Sequence, residues 1–166
     1  MPRAFITGIT GQDGQHLAEF LHGKGYEVFG MVKGQNNPRM VQMRDEFPYV
    51  EPVPGDLADL PSLVKALEYT QPDEVYNLGA ISFVALSFNQ AELTANITGL
   101  GVLRMLEAIR ILTELTGERP LGWYTGRLGP NTRRIVREEG GFLYDSDTYD
   151  DDLPYWREYG DHDQLV

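Results

Sequence analysis

The chain has 166 residues, 42% hydrophobic and 23% charged, with 18 Gly and 10 Pro, which suits one globular domain with a single full core. Its formal net charge of −11 argues against nucleic acid as the main partner, because phosphate binding needs a basic face. The absence of cysteine excludes disulfides and thiol catalysis and fits a reducing, cytoplasmic setting. The N-terminus, MPRAFITG, has no long apolar run before its first glycine, so neither a signal peptide nor a membrane span is expected.

In chain order, Arg3–Thr7 reads as a short buried strand ending at Gly8. Gln12–Gly23 follows as a helix with Leu17, Phe20 and Leu21 on one face. Tyr26–Val32 is a second strand, Pro38–Glu46 a short helix, and Val50–Pro54 a third strand turning at Gly55-Asp56. Leu60–Tyr69 is a helix with Leu60, Leu63, Val64 and Leu67 in register, and Glu74–Leu78 a fourth strand. Ala91–Leu115 reads as one long helix carrying Leu100, Leu103, Leu106 and Ile109. Leu121–Tyr124, Asn131–Glu139 and Phe142–Tyr144 complete the pattern as strand, helix and strand. Strands alternating with helices need right-handed crossovers, which predicts an α/β fold. We expect one doubly wound parallel sheet of about six strands with helices on both faces. From Glu138 to Val166 there are ten acidic residues and one basic residue, Arg157, so 151–166 reads as a solvated acidic tail after a 1–150 domain.

The strongest site signal is Gly8-Ile9-Thr10-Gly11-Gln12-Asp13-Gly14, a G-x-x-G-x-x-G run between a strand and a helix. The first glycine permits a tight turn, the second lets backbone approach a pyrophosphate, and the third lets helix and strand pack closely. The helix N-terminus adds unpaired N–H groups and a positive dipole end. Where an NAD-binding protein usually places an acid, the second strand ends Met31-Val32-Lys33-Gly34, followed by Arg39 and Arg44. A cation there favours the 2′-phosphate of NADP. Asp56, at the end of the third strand, can accept from an adenine amino group. Leu78-Gly79-Ala80-Ile81-Ser82 ends the fourth strand with small residues over which a cofactor can pass.

On the stretches GITGQDGQHLAEFLHGKGYEVFGMVK, VPGDLADLPSLVKALEYTQPDEVYNLGAISFVALSF and AELTANITGLGVLRMLEAIR, residues 1–111 resemble the GDP-mannose 4,6-dehydratase family, extended short-chain dehydrogenase/reductases with a Rossmann-like fold. The resemblance implies tightly held NADP, GDP-mannose as substrate and a 4-keto-6-deoxy product. It places cofactor contacts on Gly8, Thr10, Gly11, Gln12, Asp13, Gly14, Lys33, Asn36, Asp56, Leu57, Leu78, Gly79, Ala80 and Ser82. It also makes a homodimer through the Ala91–Leu115 helix the candidate assembly. Many relatives carry paired arginines at Lys33-Gly34 and a tyrosine at Leu93.

The dehydratase chemistry needs a Tyr-x-x-x-Lys pair and a Ser-Ser-x-Glu run after the fifth strand. Neither occurs, since Lys24, Lys33 and Lys65 are the only lysines and LGWYTGRLG stands in place of the second. A substrate domain of roughly 150 further residues is also expected of such an enzyme. No catalytic residue is therefore assigned.

The stretch TGERPLGWYTGRLGPNTRRIVREEGGFLYDSDTYDDDLPYW makes residues 112–166 similar to a segment of an allantoinase-like polysaccharide deacetylase. Together the two likenesses imply a recombinant or designed chimera joined inside a helix, with 112–150 completing the sheet. No metal site is expected: His16, His22 and His162 are scattered, and the Asp145, Asp147 and Asp150–Asp152 cluster lacks the glycine and glutamate of a calcium loop. The leading expectation is an NADP-binding domain without turnover. The alternatives are a working dehydratase using Ser82 and a tyrosine outside the Tyr-x-x-x-Lys signature, and a purely structural chimera.

Overall fold

A computed structural model of the chain describes residues 1–34, 38–81, 84–125, 131–145, 156–159 and 162–165. Its centre is β1 (Arg3–Thr7), in which Ala4, Phe5, Ile6 and Thr7 are fully buried. A strand buried on both faces must be apolar almost throughout, and RAFIT meets that demand. On one side β1 pairs with β2 (Glu27–Val32), which pairs with β3 (Val50–Pro54). On the other it pairs with β4 (Glu74–Asn77), then β5 (Gly122–Thr125) and β6 (Tyr144–Asp145), all parallel. The order β3-β2-β1-β4-β5-β6 reverses direction at β1/β4, the switch point of a doubly wound sheet.

Two cores follow from the strand alternation. Register aligns Phe29, Phe5, Val75 and Trp123 in one row across β2, β1, β4 and β5. That row packs against α3 (Leu60–Thr70), through Leu63 and Leu67, and α6 (Leu100–Thr116), through Met105 and Ile109. It also meets Val136 of α7 (Thr132–Glu139). Trp123 is fully buried, its ring 5.7 Å from that of Phe142. Each such large side chain contributes roughly 1.5–3 kcal/mol. The opposite face buries Ala4, Ile6, Val28 and Val32 under Ala18 and Leu21 of α1 (Gln12–Gly23) and Met43 of α2 (Pro38–Glu46).

On that second face Glu74 ties the later strands to the earlier ones. Its carboxylate accepts from Tyr26 at 3.1 Å and also from Tyr76 and Tyr144. Burial first, and the adjoining Glu74 carboxylate next, push the Tyr76 and Tyr144 phenols far above their ordinary value.

The strand and helix expectations hold in kind, with four differences. The expected Ala91–Leu115 helix is three pieces: α5 (Ala91–Thr94), a π-helical turn (Ala95–Gly99) and α6, after a separate short helix α4 (Val84–Asn89). In the π turn the Leu100 N–H bonds Ala95, and the displaced Asn96 carbonyl accepts from Arg104 at 3.0 Å. Leu106 and Ile109 are buried as expected, but Leu100 and Leu103 are 48% and 43% exposed. Steps of three residues lag a 3.6-residue turn, so that row winds off the core, and Val102, Met105 and Leu112 take the inward positions. Phe20 is 58% exposed, with the Lys24 ammonium 4.8 Å from its ring centre, because α1 turns Gly14, Ala18 and Leu21 to the sheet.

The fourth difference lies in the stretch read as an acidic tail. There β7 (Trp156–Tyr159) and β8 (His162–Leu165) pair antiparallel, and β8 joins β6 at Tyr144↔Leu165. Among the described residues the sheet thus has eight strands rather than about six. Two residues between β7 and β8 are hairpin spacing, and the pair covers the edge that β6 would otherwise present. The helix crossing residues 108–116 is continuous and ends at Gly117, whose φ of 77° suits glycine. Among the described residues no helix is long and apolar enough to cross a membrane.

Candidate functional site

The site forms where β1 gives way to α1. Gly8 has φ 71°, and the Gly11 N–H closes the turn on the Gly8 carbonyl at 2.9 Å. A Cβ on Gly8 would stand 2.8 Å from the Leu78 carbonyl and the Gly79 nitrogen, so the loops after β1 and β4 already touch. A Cβ on Gly14 would lie 2.5 Å from the Gly8 oxygen, so α1 approaches the loop as only glycine allows. Gly11, the N-cap of α1, brings no side-chain cap, leaving that helix end to serve an anion from outside.

Beside it, Thr7 Oγ1 donates to Asn77 Oδ1 at 2.7 Å and accepts the Gly79 N–H at 2.9 Å. Those bonds fix the second loop to the first. The groove between them has a volume of about 680 Å³, within the range of small-molecule and cofactor pockets. Gly8, Thr10, Gly11, Gln12, Asp13, Gly14, Lys33, Asp56, Leu57, Leu78, Gly79 and Ala80 all line it. Asn36 and Ser82 fall outside the described residues. The fit to a dinucleotide rests on the glycine cradle, since any side chain at Gly8 or Gly14 would displace backbone.

Seven lining residues are not among the contacts assigned from the sequence: Met31, Val32, Arg39, Gly55, Ile81, Leu93 and Ile97. Met31 lies at the end of β2, Leu93 and Ile97 stand four apart beside the groove, and Arg39 opens α2 with Nη1 3.4 Å from Thr10 Oγ1. The four-residue spacing of Leu93 and Ile97 was a usable signal. A smaller adjoining cavity of about 240 Å³ shares Thr10 and Arg39 and adds Gln15, Gln42 and Glu46.

The two charges expected at the adenosine end meet each other. Lys33 Nζ lies 2.9 Å from Asp56 Oδ2. Burial alone would raise the Asp56 pKa, but the Ala58 N–H at 3.0 Å, Lys33 and Arg104 outweigh it and hold the carboxyl below its ordinary value. Among the described residues no cluster of three His, Cys, Asp or Glu stands ready for a metal.

Residues 5–119 match the family model described as GDP-mannose 4,6 dehydratase. The chain belongs to that family. The GDP-mannose 4,6-dehydratase of Vibrio cholerae serotype O1 is 51% identical over 116 residues, 66% of this chain and 31% of that protein. The Cricetulus griseus GDP-mannose 4,6 dehydratase is 47% identical over 156 residues, 88% of this chain and 41% of that protein. This family member therefore spans about a third to two fifths of the length of these relatives. Among solved structures, the Bordetella bronchiseptica enzyme WbmH in complex with NAD+ matches with a TM-score of 0.58 at 24% identity, over 75% of this chain and 38% of that one. At that identity the likeness speaks for the Rossmann-like fold.

Proposed function

We propose that this chain binds NADP in the groove at the β1/β4 switch point. The observation that carries the reading is the glycine cradle opening onto an N-terminus of α1 that has no cap of its own. Gly8 to Gly14 would hold the pyrophosphate, Asp56 and Leu57 the adenosine, and Leu78 to Ala80 the nicotinamide half; Asn36 and Ser82 belong to the same set. The cofactor would supply hydride chemistry. The residues 1–150 are read as one cofactor-binding domain.

The choice of NADP over NAD turns on Lys33 and Arg39. A 2′-phosphate would draw Lys33 from Asp56, and Lys33 is largely exposed. An exposed ion pair is worth about 0–1 kcal/mol, whereas a hydrogen bond to a charged group contributes about 1.5–3 kcal/mol. The exchange therefore favours the phosphate. Calorimetric titration with NADP+ and NAD+ tests this: tighter NADP+ binding is expected, weakened by about 1–2 kcal/mol in Lys33→Asp. Equal affinity for the two cofactors refutes the preference, and binding of neither refutes the function in favour of a ligand-free chimera.

We infer binding without dehydration, since no lysine in the sequence follows a tyrosine by four positions. General base catalysis contributes roughly 10²–10⁴-fold, so its loss should leave no measurable turnover. A 4-keto-6-deoxy product from GDP-mannose above a no-enzyme control overturns that inference. The deacetylase-like origin of residues 112–166 stays part of the reading on the Arg127-x-Gly129-Pro130-Asn131-Thr132 run and on the family match ending at residue 119. The 88% coverage with the Cricetulus griseus protein weighs the other way. A homodimer is supported by the exposed Leu93, Leu100 and Leu103, and light scattering tests it.

A further inference from the structure

Arg104 lies on α6 and does not line the groove, yet its guanidinium is committed to the groove's floor. Nη1 donates to the Leu57 carbonyl at 3.1 Å and to the Asn96 carbonyl at 3.0 Å, and Nη2 donates to Asn96 Oδ1 at 2.7 Å. The fork joins two pieces of chain that lie far apart in sequence: the Asp56-Leu57 turn after β3 and the π turn before α6. Leu57 is 4% exposed. Its side chain is wedged where a Cβ on Gly79 would reach 2.8 Å from Cδ1 and a Cβ on Gly101 would reach 3.2 Å from Cβ. The π turn holds a third piece as well, because Thr98 Oγ1 accepts the Ile81 N–H at 3.1 Å.

Resting on the cofactor-binding reading above, we propose that Arg104 is the positioning residue for the adenosine end of the groove. It acts through Leu57 and Asn96, setting where Asp56, Leu57 and Ile97 stand. A planar fork with several fixed donors can serve two carbonyls and a side-chain amide at once, which a hydrocarbon cannot do and an ammonium does less well. The π turn is part of the device. By moving the Leu100 N–H to Ala95, it releases the Asn96 carbonyl for Arg104 and puts Ile97 on the groove wall.

The test is calorimetric titration of NADP+ and of adenosine 2′,5′-bisphosphate into the wild-type chain and Arg104→Met, Arg104→Lys and Asn96→Ala, with a urea midpoint for each. Arg104→Met, which keeps an unbranched stem and removes the guanidinium, should weaken both probes about tenfold, the scale of one net charge-assisted hydrogen bond. Arg104→Lys should recover only part of that loss at the urea midpoint of Arg104→Met. A merely structural Arg104 would move the midpoint and leave the affinities of the folded protein alone. Asn96→Ala, which retains the bond to Leu57, carries the test if Arg104→Met does not fold, with several-fold weakening expected. Affinities within twofold of wild type in the folded variants overturn the proposal. Failure of the wild-type chain to bind either probe refutes the cofactor reading itself, and this proposal with it.

Discussion

Two alanine substitutions in one helix separate steric contact from helix propensity. Gly14 and Gly23 both lie in α1. A Cβ at Gly23 would meet nothing within 4 Å, whereas one at Gly14 would stand 2.5 Å from the Gly8 oxygen and 2.8 Å from the Ile9 Cα. Alanine gains up to about 1 kcal/mol over glycine inside a helix. Gly23→Ala should therefore stabilise by a fraction of that to about 1 kcal/mol. At Gly14 the same gain is set against overpacking, which costs about 1–3 kcal/mol where backbone must shift. The net is a loss of about 0–2 kcal/mol, and the two variants should differ by about 1–3 kcal/mol. Urea unfolding at constant m-value measures the difference. Gly14→Ala should also weaken NADP+ binding, because relief of the contact moves either the Gly8 turn or the first turn of α1. If Gly14→Ala is as stable as Gly23→Ala, the close approach of α1 to the loop is wrong, and the cradle argument with it.

Trp123→Ala should destabilise the whole chain by about 3–5 kcal/mol, because a fully buried indole in the central row leaves a cavity; a change under 1 kcal/mol would show that β5 is peripheral. Asp56 gives a pH signature. Its folded pKa lies below the unfolded value near 3.9, so its contribution is present above that value and is lost as pH falls through the folded pKa. The urea midpoints of wild type and Asp56→Asn should accordingly differ at pH 7 and converge toward pH 3, and a gap that stays constant across this range contradicts the assignment. Tyr144→Phe should cost about 1 kcal/mol by removing one donor from Glu74; differential scanning calorimetry reads that loss, and an unchanged midpoint argues against a Tyr144–Glu74 bond that matters.

The glycine-bounded first half of the fold was legible because its periodicity changes wherever a loop begins. Arg3–Thr7, Gln12–Gly23, Pro38–Glu46 and Val50–Pro54 fall on the expected residues. The groove residues were legible for the same reason, since each sits at the carboxyl end of a parallel strand. The π turn was not, because one extra residue in a helix leaves no mark in an apolar pattern and depends on a fork eight residues away. Lys33 and Asp56 stand in the sequence as separate ligands to a nucleotide, and nothing in their spacing announces that they pair. Strands β7 and β8 were hidden by charge: Trp156–Leu165 is acidic overall, and hairpin pairing of its backbone does not require an apolar face.

The placement of β1 has a cost in time. Its neighbour β2, and β3 beyond it, both precede β4 in the chain, so the β3-β2-β1 half-sheet can assemble on the ribosome before β4 emerges. The other edge of β1 waits for β4, with Thr7 paired to Asn77 some seventy residues later. At about 5–20 residues per second, that edge stays open for roughly 3–14 s of synthesis. During that interval the chain presents a strand destined for full burial unpaired along one side, a template for the wrong partner. Vectorial synthesis thus makes the emergence of Glu74–Asn77 the step at which β1 is closed on both sides and the open edge passes to β4, to wait for β5.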